Sequence, residues 1–223
     1  LLLYEQNVTE KPIQYLRNCD YYEKRIATII ERFGPLAKEQ FKSRETAGFL
    51  YLLGMLEPIT RGVVSNNLRT RITIPRKSSV ESIKKWFLEI ISEDIANEIV
   101  ALISKIEELK LPGEIYPNPV FGGSGIVTSS DGDWISGDTL VELKCTMDGM
   151  KRKYVAQTIC YTALSKFGSN ADTIPNINKI AICLPRQSSI IVGSIDEWLA
   201  AFGAPSSKLV FKAIEHYFSS YKP

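Results

Sequence analysis

The spacing of apolar residues changes character near the middle of the chain. In the first half they recur every three or four positions, the period that lines one face of an α-helix. Ile26, Ile29, Ile30 and Phe33 mark a helix over 22–33, and Gly34-Pro35 breaks it. A second helix is predicted from about Leu36 to Met55, with Pro58 closing it. Ser79, followed by Ser82, opens a third, with Val80, Ile83, Phe87, Ile90 and Ile91 on one stripe. Ser92 caps a fourth that runs to about Leu109, its inner face formed by Ile95, Leu102, Ile106 and Leu109. Pro112-Gly113 ends it.

The second half alternates shorter elements. From Phe121 to Thr146 the chain is rich in Gly, Ser, Asp and β-branched residues. Strands are predicted near Gly125–Thr128, at Trp134–Ile135 and over Thr139–Cys145, the last two joined by a tight Ser136-Gly137-Asp138 turn. A helix follows over Arg152–Phe167, then strands over Asn176–Leu184 and Ser189–Val192 and helices over Ile195–Phe202 and Ser207–Tyr217. The pattern predicts an α/β fold: a central mixed sheet flanked by helices over residues 112–223, preceded by a helical region over 1–111.

Composition narrows the chemistry. The 223 residues are 44% hydrophobic and 23% charged, a globular balance. Lys and Arg number 27 against 25 acids, so net charge neither demands nor excludes a nucleic-acid partner. Cys19, Cys145, Cys160 and Cys183 stand far apart, and His216 is the single histidine. This argues against a zinc site, an iron–sulfur cluster, a disulfide framework and a Ser-His-Asp or Cys-His enzyme. The longest apolar run, Gly48 to Leu56, is too short to span a bilayer, and Leu1–Leu3 lacks the form of a signal peptide. The expectation is a soluble cytoplasmic protein with reduced thiols and no membrane partner. Leu1 stands where an initiator Met would, so the numbering is expected to begin inside a longer chain.

The segment that carries chemistry is Asp131-Gly-Asp133-Trp-Ile-Ser-Gly-Asp138-Thr-Leu-Val-Glu142-Leu143-Lys144. Side chains alternate along a strand, so Leu140, Glu142 and Lys144 share one face while Val141 and Leu143 turn to a core. A Glu and a Lys set between apolar neighbours are charges placed where burial is costly, and such groups pair with each other or with a metal. Asp133, at the start of the partner strand, reaches the same point. Two carboxylates and a backbone carbonyl make an oxygen site for a hard cation such as Mg²⁺, and a lysine beside it can orient a water for attack on phosphorus.

These residues resemble the PD-(D/E)XK nuclease superfamily, in which an Asp at a strand start is followed on the next strand by Glu or Asp, any residue, and Lys. Asp133, Glu142 and Lys144 match, with Leu143 at the variable position and Gly132 where the Pro would stand. Gln157 and Tyr161, four apart on the next helix, match the Gln-xxx-Tyr element of the RecB-like and phage-exonuclease-like branch. Asn178 to Arg186 looks like the strand that ends in Asn-Pro-Arg there, Leu184 replacing the Asn. The resemblance covers residues 117–199 and implies a restriction-endonuclease-like core and Mg²⁺- or Mn²⁺-dependent hydrolysis of DNA. It assigns Asp133, Glu142 and the Leu143 carbonyl to the metal, Lys144 to the water, and Gln157 and Tyr161 to support of the site or contact with the strand. A further acid is expected from a preceding helix, Glu98 first, with Glu114 and Asp131 as rivals. The acid-free stretch with Arg61, Arg69, Arg71, Arg76 and Lys77 is read as a DNA-backbone contact. Residues 1–111 are then a docking or DNA-contacting region, and other protein subunits, as in a phage-defence assembly, are candidate partners.

Plainer readings stand beside these. Glu142 and Lys144 fit a solvated cross-strand ladder, Gln157 and Tyr161 ordinary helix positions, and Glu98 a core-edge partner for a lysine. The basic stretch fits a solvated loop. Cys145 and Cys160 fit small packed hydrophobes, and Asp131 and Asp138 turn residues. The functional alternative is a nucleic-acid-binding subunit that keeps the fold and does not cut.

Overall fold

The structure, a computed structural model, describes residues 29–31, 33–35, 42–60 and 79–220. The chain divides into two units, Leu1–Ser104 and Lys105–Pro223. Arg61, Arg69, Arg71, Arg76 and Lys77 lie outside the described residues.

In the first unit helix α1 spans Arg44–Thr60, α2 spans Val80–Ile90 and α3, Glu93–Glu108, begins. Ser43 and Ser79 cap α1 and α2 by accepting from the Thr46 and Ser82 amides, at 3.1 and 3.2 Å. Pro58 lies within α1 rather than beyond its end. Its fixed φ is a helical value, so near a terminus it removes one hydrogen bond without stopping the helix. Phe33, Phe49 and Phe87 are fully buried and meet ring to ring, with centroids 4.7–5.7 Å apart. Gly48 lets α1 approach α2 closely, because a Cβ there would lie 2.6 Å from the Phe87 carbonyl oxygen. The packed face of α3 is Ala96, with Ile99 and Val100, against Ala47 and Ile91. Ile95, expected on that face, is 40% exposed. Small Ala96 takes the packed position beside Ala47, and Ile95 faces outward.

The second unit is α/β. Strands β1 (Ile115–Pro117), β4 (Trp134–Ser136), β5 (Thr139–Leu143), β6 (Lys179–Leu184) and β7 (Ser189–Ser194) form one sheet in the order β1-β4-β5-β6-β7. Only the β5–β6 pair is parallel, and the helix between them, α4 (Arg152–Phe167), makes the crossover. Strands β2 (Val120–Ser124) and β3 (Val127–Asp131) form a separate hairpin. Helices α5 (Ile195–Ala201) and α6 (Ser207–Ser220) complete the unit. This is a mixed five-stranded sheet flanked by helices, as the hydrophobic pattern predicts.

The β4–β5 hairpin turns at Gly137, whose φ of +58° suits glycine. The strand expected over Gly125–Thr128 is instead broken by the β2–β3 turn. Gly125 has φ +57°, and a Cβ there would lie 1.7 Å from the Phe218 carbonyl oxygen, so the position is a turn pressed against α6.

Both faces of the sheet are covered. On one, Phe121, Ile135, Leu140, Leu164 and Ile177 cluster, joined by a second group in which Val155 and Ile159 of α4 meet Ile180, Ile182 and Leu184. On the other, Val141, Ala181 and Cys183 pack with Leu109, Leu111, Trp134 and Leu143. Among the described residues no helix is long and apolar enough to cross a membrane.

Candidate active site

Asp133 immediately precedes β4, where Trp134 pairs with Val141, and one step further along the hairpin brings Asp133 opposite Glu142. Its Oδ2 accepts from the Leu143 amide at 2.6 Å. The carboxylate is thereby fixed to the backbone between Glu142 and Lys144.

Glu142 points from β5 toward α4, on the Leu140 face, and is 4% exposed. Its Oε1 accepts from the Lys144 ammonium, and Oε2 is buried with no hydrogen-bond partner among the described residues. Burial raises its pKa above the usual carboxylate value and the Asp133 charge raises it further, while Lys144 pulls it back. The net direction is upward, so one ammonium does not satisfy this carboxylate.

Lys144 also donates to Gln157 Oε1 at 3.3 Å, and Gln157 Nε2 donates to the Tyr161 hydroxyl at 2.5 Å. Tyr161 stacks on Phe121 with centroids 5.6 Å apart and an interplanar angle of 20°. Burial pushes the Tyr161 phenol up, with Gln157 opposing. A chain of contacts therefore runs from β5 through one face of α4 to β2. The structure brings Asp133, Glu142, Lys144, Gln157 and Tyr161 together, and Leu143 lies among them.

Glu98 is exposed on α3 in the first unit and off its packed face, contrary to the expected stripe. Glu114 is exposed, with its backbone carbonyl accepting from Gly137, and Asp131 is exposed at the end of β3. Cys145 is exposed rather than packed, because it lies past the end of β5.

Phe121 and Gln187 escaped the sequence reading, and Arg186 entered it only as the end of a strand. Phe121 supports Tyr161 from a strand whose glycines hide its pattern. Arg186 Nε donates to the Cys145 carbonyl at 3.0 Å. Gln187 Nε2 donates to the carbonyls of Thr146, Met147 and Asp148 at 3.1–3.4 Å. The β6–β7 corner thus clasps the loop that leaves Lys144. Only the apposition of a Pro-Arg corner to that loop signals this, and it appears once β6 lies beside β5.

The donor set fits a hard divalent cation. The buried Glu142 carboxylate, whose ionisation burial and the Asp133 charge oppose and whose Oε2 has no hydrogen-bond partner among the described residues, offers oxygen donors beside a second carboxylate. Among the described residues no group of three or more His, Cys, Asp or Glu converges. Comparison of the chain with protein-family models, with curated proteins and with solved structures finds no match in any of the three.

Proposed function

We propose that this chain is a Mg²⁺- or Mn²⁺-dependent nuclease that hydrolyses phosphodiester bonds in DNA, with a site like that of the PD-(D/E)XK superfamily. The observation that carries the reading is the buried Glu142 carboxylate, with one oxygen on Lys144 and the other orphaned, beside Asp133. Structural burial alone gives no reason to keep such a group, because an apolar residue of similar volume costs less there.

Asp133 and Glu142, with the Leu143 carbonyl, would hold the cation, which when bound supplies Lewis-acid charge to the phosphate and its attacking water. The protein's own groups do the rest. Asp133 is held in place by the Leu143 amide. Lys144 presents an ammonium that orients the water whose oxygen forms the new bond to phosphorus as the ester oxygen departs with a proton. Gln157, braced by Tyr161, fixes that ammonium laterally. Positioning of this kind acts mainly on the transition state. We read the protein as cytoplasmic, acting on DNA alone or with other protein subunits.

The test is incubation of the purified chain with supercoiled and linear DNA, with Mg²⁺ or Mn²⁺ and with EDTA. Cleavage that requires the cation and is lost in folded Lys144→Ala and Glu142→Gln variants supports the reading. Binding without cleavage by the wild type overturns it in favour of a non-cleaving subunit.

A further inference from the structure

Lys144 is held from three sides. Glu142 Oε1 and Gln157 Oε1 accept from its ammonium, and the third wall is the ring of Tyr154, whose centroid lies 5.3 Å from Nζ. That lies within the roughly 6 Å over which an aromatic face attracts an ammonium. Tyr154 stands in the first turn of α4, three residues before Gln157, so ring and amide share one side of the helix. The ring is only 8% exposed and packs among Val155, Ile159, Ile180 and Ile182, which fix its plane. Exposed Lys153 places its own ammonium 5.6 Å from the same centroid.

We propose that Tyr154 is a positioning residue that keeps the Lys144 ammonium beside the site once Glu142 gives its charge to a cation. The proposal rests on the nuclease reading above. A cation at Glu142 takes the anionic partner of Lys144 and adds a like charge nearby, so both changes push the ammonium away. Gln157 Oε1 is a neutral acceptor at 3.3 Å, and its amide nitrogen is committed to Tyr161. The Tyr154 face holds the ammonium without consuming a carboxylate oxygen that the cation needs. Without the ring, Lys144 leans harder on Glu142 and competes with the incoming cation.

The test compares Tyr154→Leu with Tyr154→Phe, which keeps the ring. In cation-free protein with ¹³C-labelled lysine, the Lys144 ε-methylene protons should be shifted upfield by the ring in wild type and Tyr154→Phe, and not in Tyr154→Leu. Mn²⁺ affinity by calorimetry should fall about two- to tenfold in Tyr154→Leu and return in Tyr154→Phe. Cleavage should show a lower kcat with KM near wild type in the Leu variant only. Should Tyr154→Leu fail to fold, Tyr154→Met supplies an apolar side chain without a ring. An ε-methylene resonance that does not move when the ring is removed, or equal Mn²⁺ affinity in ringed and ringless variants, overturns the proposal. A wild-type protein that cuts no DNA overturns the nuclease reading instead, and the lysine resonance then decides the role of the ring alone.

Discussion

Removing the Lys144 ammonium while leaving Glu142 in place isolates the electrostatics of the site. In Lys144→Ala the Glu142 carboxylate stays buried, loses the donor on Oε1, and still lacks one on Oε2. Breaking a fully buried pair from one side costs about 3–5 kcal/mol, because the surviving charge is uncompensated. The Lys144 side chain is 20% exposed, so water reaches that end of the pair and the expected loss is about 2–4 kcal/mol. Glu142→Gln removes the other charge together with its burial cost and its repulsion from Asp133, so its effect should lie within about 1 kcal/mol of zero. The double variant carries neither charge and should regain most of the loss, a coupling of about 1.5–3 kcal/mol. The pH dependence has a definite sign. Burial and Asp133 raise the Glu142 pKa, and losing Lys144 removes the opposing pull. A carboxyl whose folded pKa is raised contributes stability below its unfolded pKa and loses it as pH rises through the folded value. The Lys144→Ala deficit should therefore shrink on acidification and grow toward neutral pH. Urea titration in EDTA, followed by the fluorescence of Trp134 and Trp198, measures it. A Lys144→Ala protein as stable as wild type at neutral pH, or a Glu142→Gln protein equally destabilised, refutes the buried pair.

Three further outcomes follow from the contacts. Asn170→Ala removes an acceptor for the Gly122 amide and a donor to the Val120 carbonyl, so β2 should loosen at a cost of about 1–3 kcal/mol; amide exchange should quicken over Val120–Ser124, and unchanged exchange there would count against the clasp. Gly125→Ala places a Cβ 1.7 Å from the Phe218 carbonyl oxygen at a positive φ, and should cost more than the ~1 kcal/mol of the left-handed conformation alone, read from thermal unfolding. Gln187→Ala frees three loop carbonyls, and proteolysis over Cys145–Met150 should accelerate while the urea midpoint moves little.

What the sequence made legible follows from locality. The β4–β5 hairpin shows itself because Gly137 marks the turn and apolar positions bracket Glu142 within fourteen or so residues of chain. Helix α4 is buried on most sides, and Thr158, Thr162 and Ser165 satisfy their hydroxyls on carbonyls in the preceding turn. The Gln157–Tyr161 pair is visible because residues four apart share one helical face. Strand β1 was not readable: three residues ending in Pro117 become a strand only by pairing with β4. Strand β2 contains Gly122 and Gly123, which leave no alternation to see, and its stabilising partner Asn170 lies far along the chain. Glu98 was misplaced because hydrophobic spacing favoured Ile95, whereas close packing selected Ala96.

In the function proposed above, Asp133 and Glu142 together hold a divalent cation. Anomalous scattering from crystals soaked in Mn²⁺ tests it without any assumption about substrate. A peak is expected between the two carboxylates, with oxygen distances near the ~2.0–2.2 Å of a Mg²⁺-type site, and with the Lys144 ammonium withdrawn from Glu142. Peaks confined to other surfaces, with Lys144 still seated on Glu142, would contradict it.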